Sequence, residues 1–461
     1  MGSWEDAVPD PDWIWDHIER IYARGIRRPD YPADRETEDD LERELRTLGL
    51  DAVRREPVTV RRWEDHAVHL RVGRETFEGF AAPNSEPGSV VAPLARYDPA
   101  DPDAVNGRIA VQDVQFMAIP AAFPAWARAG AEGIEVSPSG TGWAYDPEGT
   151  FNGEQHLLPF AVEMQDVMDG AIAAGAIGYI GVLRLPGGGC QYYVPYDGRD
   201  RDVPGIYLDA ATAAGLDAAV AAGETAALTV DATRATATCH NIVGELAGAD
   251  DEWVVIATHH DGPWASAVED ASGVALVLAQ ARLWASVPAA RRPHRLVFSV
   301  NAAHMVDGSG TQAFIEQHRD RLDGIVLEVH LEHAASLGPE VAPDHPDRPV
   351  PRWWFTSQEA RLERAVWDAL VAEQLDRSLL ITPTAFGPIP ATDGGWFHAV
   401  GVPLVNFLTA PWYLFDPRDD LAKVHRPSLT GVTRATARII EASAAWSAAD
   451  LRAGIRHPAP G

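Results

Sequence analysis

Four short apolar segments, separated by segments with helical periodicity, constrain the fold of this chain more than any other feature. The apolar segments span residues 253–258, 296–300, 325–331 and 404–408, and the helical periodicity spans residues 273–284, 311–318 and 359–373. Apolar strands that alternate with amphipathic helices form a mixed, mostly parallel sheet with helices on both faces. The sequence therefore predicts an α/β domain whose polar loops gather at the carboxyl ends of the strands.

The residues before this domain divide into two further regions. Residues 13–23 and 36–48 have the apolar spacing of helices, and residues 52–60 and 67–72 alternate like strands. A turn-rich segment then begins at Ala81, and the region after it has its own short apolar strands. We expect residues 1–82 to form the N-terminal part of the main domain, residues 83–237 a β-rich insert, and residues 238–461 the main part.

The composition argues against several classes of partner. The chain has 461 residues, of which 46% are hydrophobic, so it can bury a large core. Its 67 acidic and 38 basic residues give a formal charge of -29, which repels nucleic acid and anionic lipid. Because the sequence contains no basic start followed by an apolar stretch, and no run of about 18 apolar residues, we expect a cytoplasmic protein away from membranes. The oligomeric state stays open, with a homo-oligomer among the alternatives.

One stretch places imidazole and carboxylate groups at the end of a buried strand. The strand at 253–258 leads to His259 and Asp261, and a glycine-containing loop then places Glu269 and Asp270 at the start of a helix. The free amide groups of a helix N-terminus favour carboxylates, and a neighbouring Asp can orient a metal-binding His. The stretch therefore predicts a site for a divalent metal ion.

Three phrases of the sequence resemble the zinc aminopeptidase and glutamate carboxypeptidase-like metallopeptidase family. Asn241–Leu246 matches the family phrase NVIGxL, Thr258–Asp261 matches xHxD, and Glu269–Ala275 matches DDxASGxA with one residue fewer. In the region 83–237, the strand-like phrases 107–111 and 203–208 and the helix-to-strand phrase 171–182 resemble the protease-associated domain that members of this family often carry. The resemblance implies an aminopeptidase-like α/β fold with an inserted protease-associated-like domain.

The resemblance also implies which residues bind the metal. Carried over position by position, it gives His259, Glu269 and Glu332 as ligands, with Asp261 behind His259. A site with three protein ligands and an open position can activate water, because a bound divalent cation lowers the pKa of water to about 7. We expect a single ion, with zinc as the first choice and manganese or iron as alternatives.

Two departures from the family pattern imply that the site has been rebuilt. The positions of the family's general base and of one ligand fall on Ala302 and Ala303, and the position of its last histidine ligand falls on Phe415. None of these three side chains can bind a metal or carry a proton. His304 follows the two alanines directly, so it is our first choice to supply the lost ligand or base.

Other residues near these phrases complete the predicted site. The candidate catalytic residues are His304, Asp261 and Asp393, the candidate metal ligands are His259, Glu269, Glu332 and His304, and the candidate substrate-binding residues are Trp264, His330, His333 and Trp396. Asp393 and Trp396 match the family's substrate-side loop, and His330 and His333 flank Glu332. Ordinary core packing is the alternative for each tryptophan, and ordinary hydrogen bonding is the alternative for each histidine.

The sequence favours one function and leaves two others open. The favoured function is a metal-dependent hydrolase that cleaves a small amide, a peptide or a related C–N bond through a mononuclear site, with a small molecule or short peptide as substrate. Lyase or cyclase chemistry assisted by the metal is one alternative. A catalytically silent binding protein is the other, because Ala302, Ala303 and Phe415 have replaced functional groups. The fold alone cannot choose among these functions.

Overall fold

The computed structural model describes residues 4–122, 144–151, 153–159, 164–185, 188–189, 191–192, 197–336, 347–387 and 392–455. The α-helices are α1 (Pro11–Tyr22), α2 (Pro32–Thr47), α3 (Met164–Ala173), α4 (Leu216–Ala222), α5 (Gly273–Ala285), α6 (Ser309–Gln317), α7 (Ala360–Ala372), α8 (Gly394–Ala399), α9 (Ser428–Ala442) and α10 (Ala448–Gly454). The strands are β1 (Asp51–Val72), β2 (Glu75–Phe77), β3 (Phe80–Ala81), β4 (Gly88–Arg96), β5 (Ile109–Gln115), β6 (Ala118–Pro120), β7 (Ala144–Tyr145), β8 (Gln155–Leu157), β9 (Gly178–Arg184), β10 (Gly205–Asp209), β11 (Thr225–Leu246), β12 (Trp253–His259), β13 (Arg295–Asn301), β14 (Ile325–Leu331), β15 (Arg352–Thr356), β16 (Ser378–Ile381) and β17 (Leu404–Thr409).

The main domain is built on a mixed sheet with the strand order β11-β13-β12-β14-β17-β15-β16-β7. The four central strands β13, β12, β14 and β17 are parallel to one another. β11 and β15 pair antiparallel on either side of these four strands. The prediction of a mixed, mostly parallel sheet flanked by helices is therefore confirmed, and the predicted central strands agree with the observed ones to within a residue at each end.

Helices cover both faces of this sheet because the side chains of its strands alternate between two apolar clusters. In β12, Val254 and Ile256 belong to the cluster that includes helices α1, α5 and α9. Val255 and Ala257 belong to the opposite cluster, together with Phe314 of α6. Every residue of β12 and of β14 is buried as a result. The polar side chains of β12 lie at its carboxyl end, and within β14 the side chains of Glu328 and His330 pair with each other. Among the described residues, none of the helices combines the length and the hydrophobicity that a membrane-spanning helix requires.

The insert is joined to the main domain by a long two-stranded ribbon. β1 and β11 each contain 22 residues, and they pair antiparallel from Asp51 opposite Glu245 to Val72 opposite Ala226. The two strands expected within residues 52–72 are therefore one continuous strand with an irregularity near Asp65. β11 pairs with β4 of the insert and with β13 of the main sheet. The domain boundary expected at residues 237–238 consequently lies inside a strand.

The sheet of the insert has the order β3-β10-β9-β5-β4-β11. Its strands β4, β5, β9 and β10 are parallel to one another, and apolar clusters lie on the two faces of this sheet. The predicted strands of this region at 107–111 and 203–208 overlap β5 and β10. The likeness of the insert to the protease-associated domain stays a prediction.

Candidate metal centre

Five buried side chains meet just beyond the carboxyl ends of β12, β13 and β14. They are His259, Glu269, His304, Glu332 and His333. The potential ligand atoms of His259, Glu269 and His333 all lie within 4.8 Å of one another, and those of His259, His304 and Glu332 do so as well. Neighbouring parallel strands end at the same edge of a sheet, which explains why residues distant in sequence meet here. The structure thus brings together all four side chains that the sequence predicted as ligands.

The three imidazole rings of this cluster are each fixed through their Nδ1 atoms. The acceptors are the Asp261 carbonyl oxygen at 3.0 Å for His259, the Asp393 carboxylate at 2.8 Å for His304, and the Thr409 carbonyl oxygen at 2.9 Å for His333. Since these oxygens accept hydrogen bonds, each Nδ1 must carry the proton. In the neutral ring, Nε2 then offers its lone pair, and this is the tautomer that metal-binding histidines adopt.

The Nε2 atoms face the carboxylate of Glu269. Nε2 of His259 lies 3.5 Å and Nε2 of His304 lies 3.6 Å from Oε1 of Glu269, while Nε2 of His333 contacts Oε2. Within the described part of the chain, Nε2 of His259 and His333 and both carboxylate oxygens of Glu269 have no hydrogen-bond partner. Buried polar atoms without partners are costly, and these atoms face one another. Their nitrogen and oxygen donors fit a divalent cation such as zinc.

Electrostatics around the cluster favour a positive charge at its centre. Burial lowers the pKa of His259, but the carboxylates of Asp270 and Glu269 outweigh burial and raise this pKa well above its ordinary value. Burial likewise opposes the charge on His333, yet Glu269 and the nearby carboxylates raise its pKa to about 9. A bound cation would supply the positive charge that protons otherwise supply at these nitrogens.

The carboxylate of Asp261 binds the backbone next to the cluster and does not face the centre of the cluster. Its Oδ1 accepts a hydrogen bond from the backbone amide of His304, and its Oδ2 accepts one from the amide of Met305, each at 2.9 Å. Burial raises the pKa of Asp261, but contacts with His259 outweigh burial and lower it to about 2. The ionised carboxylate therefore fixes the loop that carries His304 after β13.

Asp270 links the start of α5 to the loop after β14. Its Oδ1 accepts hydrogen bonds from the backbone amides of Gly273 at 3.1 Å and His333 at 3.2 Å, and its Oδ2 accepts one from Thr258 Oγ1. A Cβ atom on Gly273 would collide with this carboxylate. Glycine is therefore required where the helix begins, and Asp270 positions the neighbouring strand ends relative to each other.

Two further residues hold the backbone of the loop that carries Glu269. Asp419 accepts hydrogen bonds from the amides of Val268 and Glu269, each at 2.9 Å, and burial raises its pKa to about 8. Arg27 is fully buried and donates from the opposite side to backbone carbonyls, including that of Ser266 at 3.0 Å. Neither residue was predicted from the sequence. Asp419 lies in an acidic stretch close to Phe415, which is a signal for it, whereas no sequence pattern connects Arg27 with a loop more than 230 residues away.

Removing the guanidinium of Arg27 should destabilise the protein strongly. It donates hydrogen bonds to four backbone carbonyls, those of His260, Ala265, Ser266 and Glu269. We expect Arg27→Met to lower the free energy of unfolding by roughly 3–5 kcal/mol, because it leaves buried carbonyls without donors. Urea denaturation measures this loss. Arg35→Met is the matched control, since 53% of the Arg35 side chain is exposed, and it should change stability by no more than about 0.5 kcal/mol. Equal losses in the two variants would contradict this role of Arg27.

A cavity that is open to solvent lies next to the cluster. Its apolar wall consists of Trp353, Phe355, Phe386, Leu408, Leu414 and Phe415, and its polar end consists of His304, Glu332, His333, Thr392 and Thr409. Concave, mostly apolar cavities with a few polar groups at one end are typical of small-molecule sites. Phe415 thus forms part of a wall, at the position where the family resemblance places a metal ligand.

The predicted substrate-binding residues occupy different environments. His333 lines the cavity. His330 is buried behind it, with Nδ1 2.9 Å from Oε1 of Glu328 and Nε2 3.1 Å from Oε1 of Glu332. Because His330 lies between two carboxylates, it is placed to orient Glu332 and has no access to a substrate.

The two predicted tryptophans lie away from the wall of the cavity. The ring of Trp264 packs 5.0 Å from that of Phe80, and its indole donates a hydrogen bond to the carbonyl of Phe415 at 2.9 Å. Trp396 packs over Gly308, where an added Cβ would meet the indole. Trp264 therefore connects the insert to the main domain, and Trp396 supports the turn before α6.

The two alanines that replace functional groups lie in an apolar cluster. Ala302 and Ala303 are fully buried and pack with Val58, Val60 and Cys239. A carboxylate at either position would be surrounded by apolar side chains, which do not stabilise its charge. The surroundings of Ala302 and Ala303 are thus consistent with a site rebuilt from other residues.

Known proteins share both this fold and part of this sequence. Residues 241–440 match the model of Peptidase family M28. Similar solved structures include a peptidase M28 precursor from Shewanella amazonensis SB2B (18% identity, TM-score 0.71, covering 99% of this chain and 97% of that one). They also include the zinc aminopeptidase BSAP from Bacillus subtilis (16% identity, TM-score 0.65, covering 95% of this chain and 95% of that one). A third is an aminopeptidase from Aneurinibacillus sp. strain AM-1 (18% identity, TM-score 0.61, covering 95% of this chain and 93% of that one). No curated protein sequence matches the chain.

The match of residues 241–440 to Peptidase family M28, on the fold of these aminopeptidases, supports a metal-dependent, aminopeptidase-like hydrolase. The resemblance to the zinc aminopeptidases noted in the sequence is thereby confirmed.

Proposed function

We propose that this protein hydrolyses a peptide or small amide with the help of a single bound divalent metal ion, and that the group next to the scissile bond is bulky and apolar. The observation that carries this proposal is the cluster of unpartnered atoms of His259, Glu269 and His333, of which His333 also lines the apolar cavity. Zinc fits the nitrogen and oxygen donors best, with manganese or iron as alternatives. When bound, the ion would act as a Lewis acid that polarises a carbonyl group and acidifies water.

His304 is the residue best placed to move protons during the reaction. Its Nδ1 donates to Oδ1 of Asp393 at 2.8 Å, and the other oxygen of Asp393 accepts a hydrogen bond from Thr311 Oγ1 at 3.0 Å. Burial raises the pKa of Asp393, but His304 outweighs burial and lowers it, so the carboxylate stays ionised. An imidazole held by a carboxylate can accept a proton from attacking water and deliver it to the leaving nitrogen.

The apolar wall favours substrates with a large hydrophobic side chain. Trp353 and Phe386 stack with ring centroids 5.2 Å apart, and both line the cavity with Phe355 and Phe415. Burying a leucine or phenylalanine side chain against such a surface contributes about 1.5–3 kcal/mol. The kcat/KM values for leucine or phenylalanine amides should accordingly exceed that for the alanine amide by roughly tenfold or more.

Metal analysis combined with an activity assay tests the proposal. The protein is stripped with a chelator, reloaded separately with zinc, manganese or iron(II), and assayed with amides of phenylalanine, leucine, alanine and lysine. We expect about one equivalent of tightly bound metal and hydrolysis that disappears on stripping and returns on reloading. Failure to bind metal, or hydrolysis that the chelator leaves unchanged, would refute the proposal.

A further inference from the structure

His333 has a backbone conformation that needs support. It follows Glu332 at the end of β14 and has a φ angle of 44°, in the left-handed region that residues other than glycine rarely adopt. Such conformations cost on the order of 1–3 kcal/mol and occur where surrounding contacts impose them, often at functional sites. The left-handed turn ends the strand alternation and brings the ring of His333 to the side where Glu269 lies.

Three hydrogen bonds hold His333 in this conformation. Its backbone amide donates to Oδ1 of Asp270 at 3.2 Å. Its carbonyl accepts from Thr409 Oγ1 at 2.7 Å, and its Nδ1 donates to the carbonyl of Thr409 at 2.9 Å. The direction of the imidazole is therefore fixed by Asp270 and by the neighbouring strand β17.

The remaining ring nitrogen of His333 faces the centre of the cluster. The residue is 5% exposed, and its Nε2 contacts Oε2 of Glu269. This contact does not have the geometry of a hydrogen bond, and neither atom has a hydrogen-bond partner within the described residues. Nε2 of His259 lies on the other side of the same carboxylate, 3.5 Å from Oε1. Glu269 thus has one of these imidazoles next to each of its oxygens.

The ring of His304 has an orientation that conflicts with shared coordination. It stacks on the ring of His259 with centroids 3.9 Å apart and an interplanar angle of 15°. The lone pair of an imidazole nitrogen lies in the plane of its ring. The lone pairs of two stacked rings therefore lie in two nearly parallel planes and would not converge on one ion. The distances alone would allow both rings to bind one ion, but the parallel planes argue against it.

We propose that His333, and not His304, joins His259 and Glu269 as a ligand of the ion. The potential ligand atoms of these three residues lie within 4.8 Å of one another. This inference rests on the proposed function in requiring that the cluster binds a metal, and it revises the ligand set expected from the sequence. His304, held by Asp393, is then placed for proton transfer. The site consequently has two imidazole ligands and the carboxylate of Glu269, with a third imidazole beside them.

Counting the imidazole ligands of bound zinc by X-ray absorption spectroscopy tests the inference without reference to activity. We expect two imidazoles in the parent protein, one in His333→Gln and two in His304→Gln. The zinc affinity of His333→Gln should fall by about 100-fold or more, and that of His304→Gln should change by less than about tenfold. His259→Gln serves as a positive control, because both assignments require it to lose one imidazole.

The outcomes separate this inference from the proposed function. If the parent protein binds no zinc, the proposed function fails. If the parent protein has three imidazole ligands, or if His304→Gln loses one and His333→Gln loses none, the inference is wrong while the proposed function stands. If His333→Gln does not fold, the count in His304→Gln decides the matter, because the inference requires two imidazoles there and the alternative assignment leaves one.

Discussion

Zinc should stabilise the parent protein by several kcal/mol and should not stabilise Glu269→Ala. A ligand that binds only the folded state contributes about 4 kcal/mol at a thousandfold excess over its dissociation constant. Glu269 offers both carboxylate oxygens to the cluster, so we expect its removal to abolish this zinc-linked stabilisation. Denaturant unfolding with and without zinc measures the difference.

The metal-free form of Glu269→Ala should be nearly as stable as the metal-free parent protein. The substitution removes the contacts of Glu269 with the imidazoles of His259 and His333, but it also removes the cost of burying its charge. Both imidazoles can lose their protons once the carboxylate is gone, so the two effects largely offset each other. We expect a change within about 1 kcal/mol in the absence of metal. Glu316→Ala, an exposed residue of α6 that pairs with Arg319, is the control and should keep the full response to zinc. An equal response to zinc in Glu269→Ala and in the parent protein would show that the ion binds elsewhere.

Substituting His304 should reduce turnover strongly while leaving the metal in place. General acid and base catalysis contributes about 10²- to 10⁴-fold to rate, so we expect kcat of His304→Ala to fall by this factor. Asp393→Asn should reduce kcat as well, because it weakens the hydrogen bond that sets the tautomer of His304. Steady-state kinetics on zinc-loaded protein provide the measurement.

Metal content and KM distinguish this role from structural damage. We expect both variants to retain bound zinc and to show KM values close to that of the parent protein, since neither side chain belongs to the apolar wall. Thr311→Val should lower kcat less than His304→Ala or Asp393→Asn, because it removes only the hydrogen bond from Thr311 to Asp393. Loss of zinc in parallel with loss of turnover would instead make His304 a ligand.

The strand framework and three members of the cluster could be predicted because each depends on local patterns. Buried strands are recognised as short apolar runs; His259 and Glu332 lie where such runs end, and Glu269 lies where the next helix begins. His333 was assigned to the substrate as one of two histidines that flank Glu332. The left-handed φ angle at His333 and its contacts with Asp270 and Thr409, which place its ring beside Glu269, are visible only in three dimensions.

The residues that support the site could not be predicted because their contacts are distant and largely with the backbone. Arg27 donates only to carbonyl oxygens in its observed hydrogen bonds to the Glu269 loop, and any sequence offers those. For Trp264 the sequence pattern was misleading. Its place close in sequence to His259 and Glu269 indicated a pocket, but it does not line the cavity. Its position against Phe80 and Phe415 is set by the packing of the insert, which the loop sequence does not encode.

The ribbon formed by β1 and β11 determines how the two parts of the molecule can move relative to each other. Because β11 runs from the main sheet into the sheet of the insert and β1 pairs along its length, the insert is not attached by a single flexible linker. The insert can change its orientation only as the paired strands β1 and β11 bend or twist along their length. Substrate entry is therefore expected to accompany small elastic displacements, with no wide swing of one part away from the other.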